Sequence, residues 1–332
     1  NNSINQKSTA AGLKYISVSI PTKVFSFSFG LKPDTSVGYY LESNDDSKTI
    51  AELNRFEGDG GINNAFLSLG FEILNNWGLG ISSSYSFGNI NHYHSKFLED
   101  IELYTKVSNE SSLSGLNVSF SSVFQTKISE KLTLKTSLNY SQDSKLKSKN
   151  NQSISTLKQD GSYGGDIEQS DLDVLGLKQT TFLIPSSISY GLGIGQDKKW
   201  FVGMSLKNQN GGGFENQIMN LDNVEFRSSK LYSFGGFYLP KYDSFTSYLN
   251  TITYRFGVRY ESGGLYVNGH QINDFGINFG LSLPLANLSS ANLGFEIGQR
   301  GTNSSGLIKE NYFSLKLGFS LNDLWFIKSL YN

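Results

Sequence analysis

Two histidines, His92 and His94, flank Tyr93 in "HYH" and project to one side of an extended segment, a spacing that can place two ligands on a metal. A zinc site needs at least a third protein ligand. The chain has 3 histidines and no cysteine, so thiolate sites and disulfides are excluded, and an exposed loop pair is the plainer reading. The segment "DGSYGGDIEQSDLD" concentrates Asp160, Asp166, Glu168, Asp171 and Asp173. Carboxylate oxygens suit calcium, but this spacing departs from an EF-hand loop, and a solvated loop accounts for it. "KLKSK" sets Lys145, Lys147 and Lys149 at alternate positions, where they would meet lipid phosphates or form an ordinary charged rim. Serine is scattered everywhere, so proximity of Ser, His and Asp along the chain carries no weight. The expectation is a protein that is not an enzyme and has no metal and no cofactor. A formal charge of -1 leaves no basic surface for nucleic acid.

A second group of ionisable residues falls late in the chain: Arg255, Arg259, Asp274, Glu296, Arg300, Glu310 and Lys316. Each falls on the small or polar side of the strand alternation. In "FSLKLGFSLND" (313–323), Phe313, Leu315, Leu317, Phe319 and Leu321 alternate with Ser314, Lys316, Gly318, Ser320 and Asn322, the period of a strand with two unlike faces.

The same alternation recurs through most of the chain, and no helical period of useful length interrupts it. Strands are expected near 11–20, 23–31, 62–73, 77–90, 113–128, 131–145, 180–195, 199–209, 229–240, 250–261, 272–285, 290–302 and 309–323. Many exceed the five or six residues typical of soluble strands and match the ~9–11 of a tilted membrane crossing. Short connections at 21–23, 74–76, 129–131, 196–199 and 284–291 take turns with long polar ones at 32–61, 91–112, 146–179 and 210–228, and a brief one at 303–308. An outer-membrane barrel has this signature, with short periplasmic turns and longer extracellular loops.

The competing reading is a soluble lipocalin, sandwich or propeller, with the apolar face turned inward. Against it, the polar face is Gly, Ser and Asn rather than the Lys and Glu that cover soluble surfaces. The apolar face carries Phe, Tyr, Leu and Ile on every strand, out of 24 Phe and 18 Tyr in 332 residues. The expected fold is therefore all-β: one transmembrane antiparallel up-and-down barrel over 1–332, with apolar chains facing lipid and Lys316 facing the lumen. Trp77, Trp200 and Trp325 lie beside expected periplasmic turns or the C-terminal end, as interfacial aromatics do. Bacterial barrels have even strand numbers and a periplasmic N-terminus, so about thirteen strands imply a fourteenth upstream of Asn1.

Several stretches resemble the FadL-type long-chain fatty acid transporters of the outer membrane, in particular a divergent branch. They are "YVNGHQINDFGINFGLSLPL" (266–285), "NLGFEIGQRGTNSSGLIKENYFSLKLGFSLNDLWFIK" (292–328), and "NRFEGDGGINNAFLSLGFEI" followed by "WGLGISSSYSFGNI". The resemblance implies fourteen strands, an N-terminal plug that this sequence lacks, and a third strand bent inward to open a lateral gap. That strand would be 23–31 and its continuation "GLKPDTSVGYY", with Gly30, Pro33 and Gly38. Proline cannot donate to a ladder and glycine marks bulges, although Pro33 can equally end a strand at the membrane edge.

The leading functional expectation is passage of a hydrophobic, fatty-acid-like ligand through the lumen with exit near Gly30–Gly38. The charged residues would then orient a carboxylate or, more simply, brace the wall. The alternative is a non-transporting barrel serving as subunit or adaptor of a multi-protein outer-membrane complex in protein secretion or outer-membrane protein assembly. In either case membrane lipids are partners.

Overall fold

A computed structural model describes residues 9–22, 24–45, 50–211, 224–285, 289–304 and 307–322. Nearly all of it is strand, because the period-2 pattern leaves the backbone no other way to keep apolar and polar chains apart. The strands are β1 (Ile16–Pro21), β2 (Phe25–Asp45), β3 (Glu52–Leu74), β4 (Trp77–Leu98), β5 (Leu103–Lys127), β6 (Thr133–Ser141), β7 (Ser144–Lys158), β8 (Tyr163–Gln169) and β9 (Gln179–Ile184). They continue as β10 (Ser187–Gln196), β11 (Trp200–Gln209), β12 (Val224–Tyr238), β13 (Thr253–Val267), β14 (His270–Gln271), β15 (Asp274–Pro284), β16 (Ser290–Gly301) and β17 (Lys309–Ser320).

Each neighbour in the wall is antiparallel. β6 and β7 run end to end against the lower and upper halves of β5. β9 and β10 do the same across Pro185, pairing with β7 and β6 respectively. Among the described residues the 17 segments thus make thirteen wall positions, with β8 and the two-residue β14 as additions to the hairpins above. This is the up-and-down barrel wall expected from the sequence. β1 and β17, its two edges, run in the same direction, and among the described residues no ladder joins them.

The hydrophobic side chains are on the outside. Among the described residues only Ile62, Leu113, Leu146, Leu157, Leu172 and Ile252 are buried hydrophobics, whereas Phe313 is 66% exposed and Leu317 67%. A water-soluble protein cannot leave so much apolar surface uncovered; lipid must cover it. Two rows rich in aromatics mark this band: Trp200, Tyr238 and Tyr254 pair across β11–β13 at one end, and Tyr232 and Tyr260, with Leu206 beside them, pair across the same strands six residues away. Six residues rise about 20 Å along the strand, close to the ~25 Å band of an outer-membrane barrel.

Several expected boundaries are corrected. The segments taken as long loops are largely strand: β2 reaches Asp45, β3 starts at Glu52, β4 runs to Leu98, β5 starts at Leu103, and β7 and β8 fill most of 144–169. β3 and β5 have 23 and 25 residues, so this side of the wall stands far above the band. On β4 the outward apolar run ends at Phe87 and gives way to Asn89 and Asn91. Above that level both faces meet water, both carry polar residues, and the apolar period that reveals a strand disappears. The alternation of short and long connections also fails, since 239–252, between β12 and β13, lies at the short-turn end and contains a 3-10 turn at Tyr248–Thr251. Residues 9–15 are not strand, so β1 is shorter than expected.

The tall wall bends where it leaves the band. β2 carries a one-residue bulge between Pro33 and Thr35, opposite Asn63 and Ile62; Gly88 stands opposite Ile62, and the neighbouring Gly61 and Gly60 stand opposite Ser36 and Val37. Gly60 has φ 108°, and a Cβ there would sit 2.1 Å from the Asn89 carbonyl oxygen. Only glycine lets these backbones approach so closely. Inside the bend, Ile62, Leu113 and Leu146 pack with Ile90, Phe182 and Ile184, a small dry cluster on the inner face.

Candidate functional site on the inner wall

β13, β15, β16 and β17 bring one compact polar group together on the inner face. In register, Arg259 on β13 faces Gly276 on β15, Gly276 faces Gly298 on β16, and Gly298 faces Tyr312 on β17. Arginine and tyrosine are the longest members of this row, and the glycines between them leave a bare floor over which they meet. A Cβ on Gly298 would lie 2.2 Å from the Tyr312 hydroxyl, and one on Gly276 would lie 2.9 Å from Glu296 Oε1.

The Arg259 guanidinium donates from Nε to Glu296 Oε1 at 2.8 Å and from Nη2 to Asp274 Oδ1 at 3.0 Å, and Nη2 also donates to the Tyr312 oxygen. Tyr312 in turn donates to Asp274 Oδ1 at 3.0 Å. Lys316 donates to Glu296 Oε2, so both oxygens of a carboxylate whose residue is only 5% exposed are satisfied. Two cations meet two anions, and each finds its partner within the group. Charges so arranged hold four strands in one register, and the enclosed Glu296 is the member that could not be left unpaired at low cost.

The other residues singled out from the sequence fall outside this group. Arg255 is on the same face, exposed, and makes no ion pair with any described residue. Arg300 and Glu310 are directly opposed across β16 and β17 yet form no ion pair with each other. Tyr312 and the two glycines went unnoticed in the sequence. Their signal was present, a residue of length beside two without side chains at one inner level, but it exists only once the register is known.

At the expected kink, Gly30 lets β1 and β2 close up, since a Cβ there would lie 2.2 Å from the Ile16 carbonyl oxygen. Pro33 opens the bulge, while Gly38 faces open space and no steric need selects it. The ladder from β2 to β3 continues through the bulge over the full strand, whereas the ladder to β1 ends at Leu31. Trp77 and Trp200 begin β4 and β11 at the short-turn end, with Trp77 Nε1 donating to Ser122 Oγ at 2.8 Å. Trp325 lies outside the described residues.

His92 and His94 do share a face, but each is already engaged. The His92 Nδ1 is 2.6 Å from the Tyr39 hydroxyl, and the His94 Nε2 is 2.9 Å from Asn54 Oδ1, with its ring stacked on Phe56. Burial pushes the His92 imidazole below its ordinary pKa, partly countered by Asp59. Three acids of the acidic segment are engaged locally, while Asp166 and Glu168 lie exposed on β8: Asp160 accepts from Ser162, Asp171 accepts the amides of Asp173 and Val174, and Asp173 pairs with Lys178. Among the described residues no cluster of ligand types is arranged for a metal.

The chain matches the BamG family over residues 1–332. This chain belongs to the BamG family. No curated protein matches it. Among solved structures, it is similar to the CymD monoaromatic hydrocarbon channel, at 10% identity over 86% of this chain and 77% of that one, with TM-score 0.51. It is also similar to the Ralstonia pickettii toluene transporter TbuX, at 8% identity over 91% and 79%, with TM-score 0.55. At such identities the likeness establishes a shared barrel fold, to which a FadL homologue from Pseudomonas aeruginosa also aligns, at 13% identity over 86% and 68%, TM-score 0.49. The chain thus shares its barrel fold with these structures, as expected from the sequence, without that fixing a substrate.

Proposed function

We propose that this BamG-family chain is a barrel subunit of a larger outer-membrane complex whose work is the assembly of outer-membrane proteins, with the tall strands and long hairpins extracellular. The observation that carries this reading is the inner wall. Arg259, Asp274, Glu296, Tyr312 and Lys316 satisfy one another, so this group spends its charges on bracing the wall. An apolar cluster packs the inner face at the base of the tall wall and adds to this bracing. The end-to-end family match supports the same view, since it is to BamG rather than to a transporter family. In this role the lumen is a braced scaffold, and the wall and its projection carry the contacts.

The second reading, passage of a hydrophobic fatty-acid-like compound with lateral exit, is favoured by two observations. The solved structures with the same wall include a hydrocarbon channel and a toluene transporter. The β1 ladder stops at Leu31, leaving Lys32–Gly38 paired on one side. Affinity purification of the chain from detergent-solubilised outer membranes separates the two. Stoichiometric co-purification with other outer-membrane proteins is the expected result. A lone barrel carrying a bound apolar compound overturns it in favour of transport.

A further inference from the structure

The three lysines of "KLKSK" are not on a loop. They lie on β7, where Leu146, Ser148 and Asn150 are buried on the inner side and Lys145, Lys147 and Lys149 are exposed on the outer side. The strand period sets their Cα atoms about 7 Å apart in one line. None of the three is ion-paired to a described residue. The strands beside them supply small polar groups at the same heights: Ser114 and Thr181 flank Lys147, and Ser112 and Gln179 flank Lys149. Of the nearby carboxylates, Glu110 comes one level further up, opposite Asn151, and the exposed Asp143 precedes Lys145 by two residues without forming an ion pair with a described lysine.

What lies directly below decides the partner. Lys145 is level with Leu183. Beneath it the outer face becomes Leu116 on β5, Leu138 and Tyr140 on β6, and Tyr190 on β10, all exposed hydrophobics of the lipid-facing band. The lysine line therefore begins where the acyl chains end. Three like charges in a row repel unless an anion joins them, and the anions fixed at that height are lipid phosphates.

We propose that Lys145, Lys147 and Lys149, with the Ser112, Ser114 and Thr181 hydroxyls, form a binding face for the phosphate-bearing headgroup of a membrane lipid in the leaflet toward which the tall strands project. Acyl chains rest on Leu116, Tyr140 and Tyr190, and the phosphate is held by ammonium groups above them. Because the site is on the outer wall, it is independent of whether the lumen conducts anything.

Native mass spectrometry of the full chain in neutral detergent, titrated with lipid A or with dephosphorylated lipid A, tests this. Lipid A is expected to be retained at least about tenfold more tightly than its dephosphorylated form. The triple variant K145Q/K147Q/K149Q should lose that preference, and K145R/K147R/K149R should keep it. Inorganic phosphate should fail to displace the lipid at concentrations well above that of the lipid, because the acyl contacts hold it in place. Heat-modifiable gel migration confirms that each variant is a folded barrel. Equal retention of the two lipids, an unchanged preference in the glutamine variant, or ready displacement by inorganic phosphate would each overturn the proposal.

Discussion

Glu296 is the most demanding residue in the chain. Its carboxylate is almost fully enclosed and is tolerable only because Arg259 and Lys316 each take one of its oxygens. Glu296→Gln leaves two cations facing a neutral amide, and the expected loss is about 3 kcal/mol, the usual consequence of removing one partner from a buried pair. Urea unfolding of the refolded barrel, followed by loss of heat-modifiable migration, measures it. Gly298→Ala acts on the same group by displacing Tyr312, whose hydroxyl occupies the space a methyl would need. Its expected cost is about 1–3 kcal/mol on the same assay, the range of overpacking. The sequence displayed Arg259, Asp274, Glu296 and Lys316 as inward charges but could not say that Arg255, Arg300 and Glu310 would be left out. Membership depends on which strands are adjacent and at what offset, which alternation within one strand does not encode.

Between strands, the bend above the band shows how a local device works across three elements. The bulge after Pro33, Gly88 opposite Ile62 and the neighbouring pair Gly60–Gly61 fall within a few residues of one level although 55 residues separate Pro33 from Gly88. Gly60→Ala combines a forbidden backbone angle with a clash on Asn89, and about 1–3 kcal/mol of destabilisation is expected, with faster amide exchange on both flanks of the bend. The tall strands beyond it should respond to pH through His92. Its folded pKa lies below the unfolded value, so the unfolded wall binds the extra proton. Stability on this account is full above about pH 6.5 and falls as the pH drops through that value toward the lower folded pKa. Amide exchange around Tyr39 and His92 should therefore quicken between neutral pH and pH 5, and His92→Phe should remove the dependence.

At the level of the barrel, the decisive property is its inverted arrangement, and the absence of cysteine makes it directly measurable. In lipid vesicles, Ser137→Cys on the inner wall should react with a water-soluble maleimide, and Phe279→Cys on the outer wall should not. A spin label in the acyl chains should broaden a probe on Phe279→Cys and leave one on Ser137→Cys unaffected. The opposite pattern would refute the membrane wall itself.

Within the lipid band the wall was readable because the bilayer imposes one rule on every strand: alternate residues must be greasy, and the rest need only be small or polar. Phe313 through Leu321 announce this without any partner in view. Above the band that rule lapses. "YTKVSNESS" on β5 and "KLKSK" on β7 look like loop because water bathes both of their faces, and hydrogen bonds to neighbouring strands, invisible in sequence, hold them extended. Register across strands, and with it the meeting of Arg259 with Tyr312 and the outward line of lysines, was settled only by the tertiary structure. Each of those depends on residues brought level by pairings between distant parts of the chain.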